Sequence, residues 1–562
     1  MKLINLFLAG LNILILPNML LAESSRPAAS HLDKTQGISQ TAPTTIAADP
    51  EAIDNATSSA TEAESDDQEE AKNQKEATAD QPTPEAMARL RKLATADQLY
   101  LSGYKSEAKQ VYRQVKENWQ VTSDQTTSKS DKALFDDPQQ LSPAGRVFWR
   151  NYQQGKTQGM ESKVISALNL LTTREPEFIS GHIHYAQMLK QYERGEESVE
   201  VLEKAIALYP DESKLVQARV DAHVVEEEWL DASILSRQFA LFNPELPETQ
   251  KFQQQAKQYL EEYQSDLRSD IALNAVGNAI VGTVGFALTG SLFGPLSALE
   301  TTSMLIQGES AIGEATVRQA RQQLPLLEDP LVTEYIDRIG QKVATASGRD
   351  DFDYEFHLIM DDSLNAFALP GGKVFVHAGA IMHTDTEAEL AGLLAHEVAH
   401  SALSHGFQLV TRGNLTANVV SHIPYIGNAA TSLIVMNYSR GMERQADIFG
   451  TRILVNSGYA ADGVRNLMVK LHQHHQDKDN PEPAEWLSTH PNSKERIRYM
   501  EQLIVDRNLN RFAYEGVAPH QNIKYLVQEQ WQQYEQCINE DENFVTIEMA
   551  KECAANVSIL DQ

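Results

Sequence analysis

Apolar and polar positions divide the chain into stretches of different character. Residues 3–16 are an apolar run broken only by Asn5 and Asn12, with one early charge, Lys2, ahead and Pro17 behind. With Leu20-Leu21-Ala22 after it, this run has the make-up of a secretory signal over residues 1–22, and an uncleaved N-terminal anchor is the alternative. Residues 23–85 are rich in Ser, Thr, Ala, Asp, Glu and Gln and hold no aromatic side chain. Such a stretch has too little apolar surface to offset the entropy of ordering and reads as a disordered acidic linker. From 86 to 262 the pattern is helical and repeats. Pro176, Pro210 and Pro244 stand 34 residues apart, and Ala186, Leu189 and Ala205 fall between the first two. A weaker unit carries Ala218, Ala222, Trp229 and Ala232, and an earlier one Tyr100, Gly103, Ala108 and Tyr112. A period of this length marks stacked helix-turn-helix units that share a core and leave a concave face for a partner. A plain helical bundle is the alternative, and Trp119, Trp149 and Trp229 read as core.

Two later stretches are almost free of charge. Ile271–Leu299 has no Asp, Glu, Lys, Arg or His, and Gly290 and Gly294 keep the spacing of small residues found where membrane helices pack. Its length suffices for a bilayer span. A single crossing after an exported N-terminus would return everything downstream to the cytoplasm, so the favoured reading of 263–304 is a membrane-touching hairpin or a segment packed on its neighbour, with a span as the alternative. Leu415–Tyr438 has no acidic or basic residue except His422, and reads as helices, broken near Pro424 and Gly427, over a cleft. Between them, Asp353–Met360 alternates like a strand. Asn365–Ala380 reads as a hairpin turning at Pro370-Gly371-Gly372. Residues 506–562 read as helices.

The chemistry centres on Leu390–His400. Leu390, Leu394 and Val398 share one helical face, and His396 and His400 project together from another. Imidazoles four apart on a helix can fill two corners of a tetrahedral zinc site, and Glu397 is placed to reach a water there. The best third ligand is Glu443, in a second helical stretch. Asp447 lies one turn further on, where a carboxylate can hold a ligand histidine in its metal-binding tautomer. His405 and His422 are read as spare, because catalysis needs three protein ligands and an open position.

Charge and cysteine content narrow the field. A net charge of −30 argues against nucleic-acid binding and for a self-repelling surface. Two cysteines, Cys537 and Cys553, are too few for a disulfide framework. In an exported protein they pair and staple two helices; two buried thiols are the alternative.

Four stretches resemble, in order, the HtpX/BepA-like zinc metalloendopeptidases, a gluzincin family: Asn365–Gly372, Glu389–His400, Glu443–Asp447, and Ser488-Thr489-His490-Pro491 with Arg496-Ile497. The region 86–262 resembles tetratricopeptide repeats. The resemblance implies an α+β fold: a gluzincin peptidase domain, active-site helices with a small sheet, over 305–505, preceded by an all-α tetratricopeptide-like helical repeat region over 86–262. A C-terminal helical tail, 506–562, follows. It implies one Zn2+ per chain on His396, His400 and Glu443, with Glu397 as general base and Asp447 behind a ligand. Asn365, Ala366 and Phe367 then belong to an edge strand that pairs with extended polypeptide substrate. In the family the histidine matching His490 lies near the metal. An inhibitory fourth ligand is the favoured reading; a transition-state contact and a plain loop residue are the alternatives. The expected function is endoproteolysis of exported or envelope proteins, in quality control, by a periplasmic or envelope-associated enzyme. Its repeats would bind a protein partner or substrate, and its 271–299 segment would contact the membrane. The competing reading is a chaperone-like binding protein with a weak or latent peptidase.

Overall fold

A computed structural model describes residues 83–116, 133–274, 304–411, 438–477, 490, 493–539 and 546–557. The expected signal, nearly all of the acidic linker, residues 275–303 of the apolar segment and residues 412–437 lie outside the described residues. The chain first forms a helical hairpin, α1 (Pro84–Leu101) and α2 (Lys105–Val115). Pro84 starts α1 where no N–H is needed, and Thr83 Oγ1 accepts from Ala86 N at 3.2 Å. Leu93, Ala96, Ala108 and Tyr112 pack with Val517, near the other end of the chain. Asp97 accepts from Glu515 N and Val517 N, both at 2.9 Å, and the buried Lys116 pairs with Asp462 at 2.8 Å and with Glu515. This hairpin is therefore tied to the C-terminal segment.

Three further hairpins follow: α3 (Pro143–Gln158) with α4 (Glu161–Arg174), α5 (Ile179–Gln191) with α6 (Gly195–Leu208), and α7 (Ser213–Val225) with α8 (Trp229–Phe242). Their second helices end at 174, 208 and 242, so the 34-residue spacing of the prolines is also the spacing of the hairpins. Long α9 (Thr249–Asn274) packs along α8. Trp149 stands edge-on to Phe178 at 5.3 Å and borders the core of these hairpins, while Trp229 stacks on Tyr259 at 6.1 Å; both indoles are half-buried rather than core.

The second half interleaves helices with a small sheet. Its order is α10 (Glu309–Gln323), β1 (Leu326–Leu327), α11 (Pro330–Ala346), β2 (Glu355–Ile359), β3 (Ala366–Leu369), β4 (Lys373–His377), α12 (Ala378–His383), α13 (Glu387–Ala402), α14 (His405–Thr411), α15 (Arg440–Asn456), α16 (Gly463–Asp477), α17 (Ser493–Asp506), α18 (Val517–Asn539) and α19 (Ile547–Val557). The strands run β1-β2-β4-β3, with β2 and β4 parallel and the outer pairs antiparallel. The β3–β4 turn is Pro370-Gly371-Gly372, as expected. Both glycines have positive φ, +76° and +84°, and a Cβ on Gly371 would stand 2.7 Å from Ser310 Cα. Strand pairing stops at His377, short of the expected Ala380. Gly379 N donates to Asp361 O at 2.8 Å, and the chain turns into α12 instead.

α13 is buried along its whole length, with α11, α15 and α16 around it and β3 across one side. Gly450 allows α15 to come close: a Cβ there would lie 3.1 Å from Ala395 O and 3.2 Å from His396 Cα. Cys537 of α18 and Cys553 of α19 form a disulfide, with Cα atoms 5.8 Å apart. Among the described residues, no helix is long and apolar enough to cross a membrane.

Helix α8 reaches into this second half. Gln238 Nε2 donates to Leu403 O at 2.8 Å, just past the end of α13. Arg237 meets Glu309 at 3.2 Å and Ser404 Oγ at 3.3 Å, while Arg349 Nη1 donates to Ala402 O at 2.8 Å. At the C-terminus of α8, Phe242 packs on Phe449 with ring centroids 5.0 Å apart, and its carbonyl accepts from Arg452, both partners being on α15.

Candidate metal centre

Two helices bring the donors together. Thr386 caps α13, accepting from Glu389 N at 3.2 Å, and sets the helix so that His396 and His400 share one side. Ser439 caps α15, accepting from Met442 N at 3.2 Å, and places Glu443 in its first turn with Asp447 one turn on. His396, His400, Glu443 and His490 each direct one ligand atom into a single buried pocket, all within 4.8 Å of one another.

The spacing suits one ion. Nε2 of His396 and Nε2 of His400 are 3.1 Å apart. Two nitrogens at about 2.0–2.1 Å from one tetrahedral ion would stand about 3.3 Å apart. Glu443 Oε2 lies 3.6 Å from His396 Nε2, and its Oε1 lies 3.5 Å from His400 Nε2. Both Glu443 oxygens are buried with no well-formed hydrogen bond; Arg496 Nη1 is 2.9 Å from Oε2 but off the hydrogen-bond line. Glu397, Glu443 and Asp447 set three carboxyl groups against the one guanidinium of Arg496, all buried. A divalent cation balances that deficit. Burial opposes protonation of His396, yet the Asp447 and Glu443 carboxylates beside it win and raise its pKa to about 9, which reports the negative potential of the pocket. His400 goes the other way: burial, then the neighbouring His396, His405 and His490, push it well below the usual value. The donor set and the charge both fit a zinc-type ion.

Around the donors lies a second layer. His396 Nδ1 is 3.1 Å from Asp447 Oδ1. Arg496 grips that carboxylate at both oxygens, 2.7 and 2.8 Å, and Tyr499 Oη donates to it as well. Burial works against the Asp447 charge, but Arg496 and these hydrogen bonds hold its pKa well below the carboxylate range. Arg496 Nη1 also donates to the His490 carbonyl at 3.1 Å, so one guanidinium joins the third donor, its neighbour and the His490 backbone. His490 Nε2 is 3.8 Å from both Glu397 Oε1 and Glu443 Oε1. The Tyr438 ring lies against His400, tilted by 32°, with centroids 3.8 Å apart.

β3 is an outer strand of the sheet and lies beside α13, with Leu369 O accepting from Ser401 Oγ at 3.1 Å. Asn365 and Ala366 are buried, and Phe367, half-buried, stacks on Phe375 at 5.2 Å. His405, read as spare, is not among the donors, but its Nδ1 lies 3.2 Å from His400 Nδ1. Arg496, Tyr438 and the His405 contact were missed as working parts of the site. Arg496 stood inside a recognised motif, and nothing local indicates the partners it meets. A second donor group, His223, Glu228 and Asp231, sits at the α7–α8 turn. There Glu228 and Asp231 occupy the start of α8, where acidic groups answer the helix dipole.

Residues 330–504 match the model of peptidase family M48, so the chain carries a domain of that family. Similar proteins include the beta-barrel assembly-enhancing protease of Yersinia pestis, 30% identical over 215 residues, which are 35% of this chain and 43% of that protein. The protein of the same name from Escherichia coli strain K12 is 29% identical over 214 residues, 35% of this chain and 44% of that one. The mitochondrial metalloendopeptidase OMA1 of Schizosaccharomyces pombe is 29% identical over 191 residues, 32% and 55% of the two chains. The chain spans about half the length of the curated relatives it matches.

Proposed function

We propose that this protein is a zinc metalloendopeptidase in which His396, His400 and Glu443 hold one ion and Glu397 is the general base. The observation that carries this is the convergence of those donors in one buried pocket, at separations suited to a single tetrahedral ion. Bound zinc would supply Lewis acidity, polarising the scissile carbonyl and acidifying water. Glu397 takes the proton of the attacking water and returns it to the leaving amine. Asp447, gripped by Arg496, keeps the His396 proton on Nδ1 and leaves Nε2 as a donor. The β3 edge, Asn365 to Leu369, pairs with extended substrate backbone and so tolerates many sequences. The apolar N-terminal run and the disulfide favour an exported, envelope-associated enzyme acting on exported proteins in quality control. The 34-residue hairpins are read as tetratricopeptide-like units that bind a partner or substrate. Glu397→Gln should keep zinc and lose cleavage of an unfolded polypeptide by at least about 100-fold. A variant that cleaves like the wild type refutes the enzyme reading.

His490 favours a latent state of the same enzyme, nearer the chaperone-like alternative. Its Nε2 faces both Glu397 and Glu443, where an imidazole can take the fourth position and exclude water. His490→Ala should retain zinc and raise basal cleavage, including self-cleavage. A slower variant with zinc retained would instead make His490 a transition-state contact.

A further inference from the structure

The two metal-facing histidines are held from behind by different means. His396 has a carboxylate, Asp447, at its Nδ1. His400 has another imidazole: His400 Nδ1 lies 3.2 Å from His405 Nδ1, and His405 Nε2 lies 3.0 Å from Gln445 Oε1. His400 and His405 are fully buried. We propose that His405 and Gln445 are positioning residues that set the tautomer of His400, a role that rests on the metal reading of the pocket.

The direction of this relay follows from hydrogen-bond chemistry. In the proposed relay the Gln445 carbonyl oxygen, which can only accept, faces His405 Nε2, and that nitrogen carries the proton. An imidazolium without a partner carboxylate is costly in a buried place, so His405 is neutral and its Nδ1 is a lone pair. The short contact between the two Nδ1 atoms then needs its proton on His400. His400 is thereby left with a bare Nε2, and that atom points at His396 Nε2 and Glu443. Reversing the relay reverses the outcome. A side chain at 445 that donates to His405 Nε2 would move the His405 proton to Nδ1, make His400 Nδ1 the acceptor and place a proton on His400 Nε2, where it blocks the metal. Helix α15 thus provides the third donor, Glu443, and governs both histidines, through Asp447 for one and Gln445 for the other.

Zinc competition against a chelator of known affinity tests this on the full chain, with no use of catalysis. Gln445 is half-buried, so its substitution leaves the fold intact, which the melting temperature of the zinc-free protein checks. Gln445→Leu and His405→Ala should raise the zinc dissociation constant about 10- to 100-fold, whereas Gln445→Glu, which can only accept, should stay within about 3-fold of the wild type. Wild-type affinity in Gln445→Leu and His405→Ala overturns the relay, as does equal weakening by Glu and Leu at 445. A wild-type chain that binds no zinc, with His400→Ala no different, overturns the metal reading itself.

Discussion

His520 of α18 is buried and takes no part in the metal pocket. Tyr335 Oη donates to its Nδ1 at 2.8 Å, and its Nε2 meets Thr384 O at 3.1 Å, so the neutral ring is satisfied on both sides. Burial depresses its pKa to about 4, against an ordinary value of 6.5. Above pH 6.5 neither state carries the proton and nothing is lost. As pH falls from 6.5 towards 4, the unfolded chain binds a proton that the folded chain refuses, and stability drops by about 2–3 kcal/mol. His520→Gln can make both bonds without titrating. Unfolding free energies at about pH 7.5 and about pH 4.5 should show the wild type losing about 2–3 kcal/mol more than this variant. Equal losses would mean that the folded protein accommodates the imidazolium. Such a site shows how little of a histidine's role is local: the residues flanking His520 do not indicate that Tyr335 and Thr384 will close around it.

Helix α8 shows the same point for an element. Its 34-residue rhythm was legible, because repeated helical hairpins leave a periodic trace. Its contacts with the peptidase helices were not, because Arg237 and Gln238 meet Leu403, Ser404 and Glu309 only after distant segments fold together. α8 touches the end of α13, one turn from His400, and also Phe449 and Arg452 on α15. It therefore braces the two helices that carry the metal donors. Gln238→Leu removes the donor to Leu403 O, and should cost about 1–2 kcal/mol of stability, with weakened zinc binding although the residue lies outside the pocket. Denaturant unfolding and chelator competition check this together. A loss of stability with unchanged zinc affinity would make α8 a mere prop. The HExxH helix and the β3–β4 hairpin were legible for the opposite reason: the helical spacing of Leu390, Leu394 and Val398 and the Pro-Gly-Gly turn are local signals. The end of that hairpin was misplaced because the Gly379–Asp361 bond is not.

Across the whole molecule, segments far apart in sequence converge on one buried helix. The α1–α2 hairpin is clamped to the C-terminal segment through Asp97 and Lys116, α8 braces the end of α13 and the body of α15, and Arg496 of α17 ties Asp447 to the His490 backbone. The four candidate donors, and Asp447 behind one of them, were legible from motif spacing and resemblance; the rest of the layer behind them was not, since Arg496 and His405 work through partners that no short pattern specifies. All of that architecture has its purpose, in this account, in holding one zinc ion. Metal analysis of the purified chain and three variants tests this most directly. The wild type and Glu397→Gln should each carry about one zinc per chain, while His400→Ala and Glu443→Ala carry almost none, because each removes one of the three ligands proposed to hold the ion and His490 alone does not replace it. Stoichiometric zinc in Glu443→Ala, or none in the wild type, would contradict the site as described.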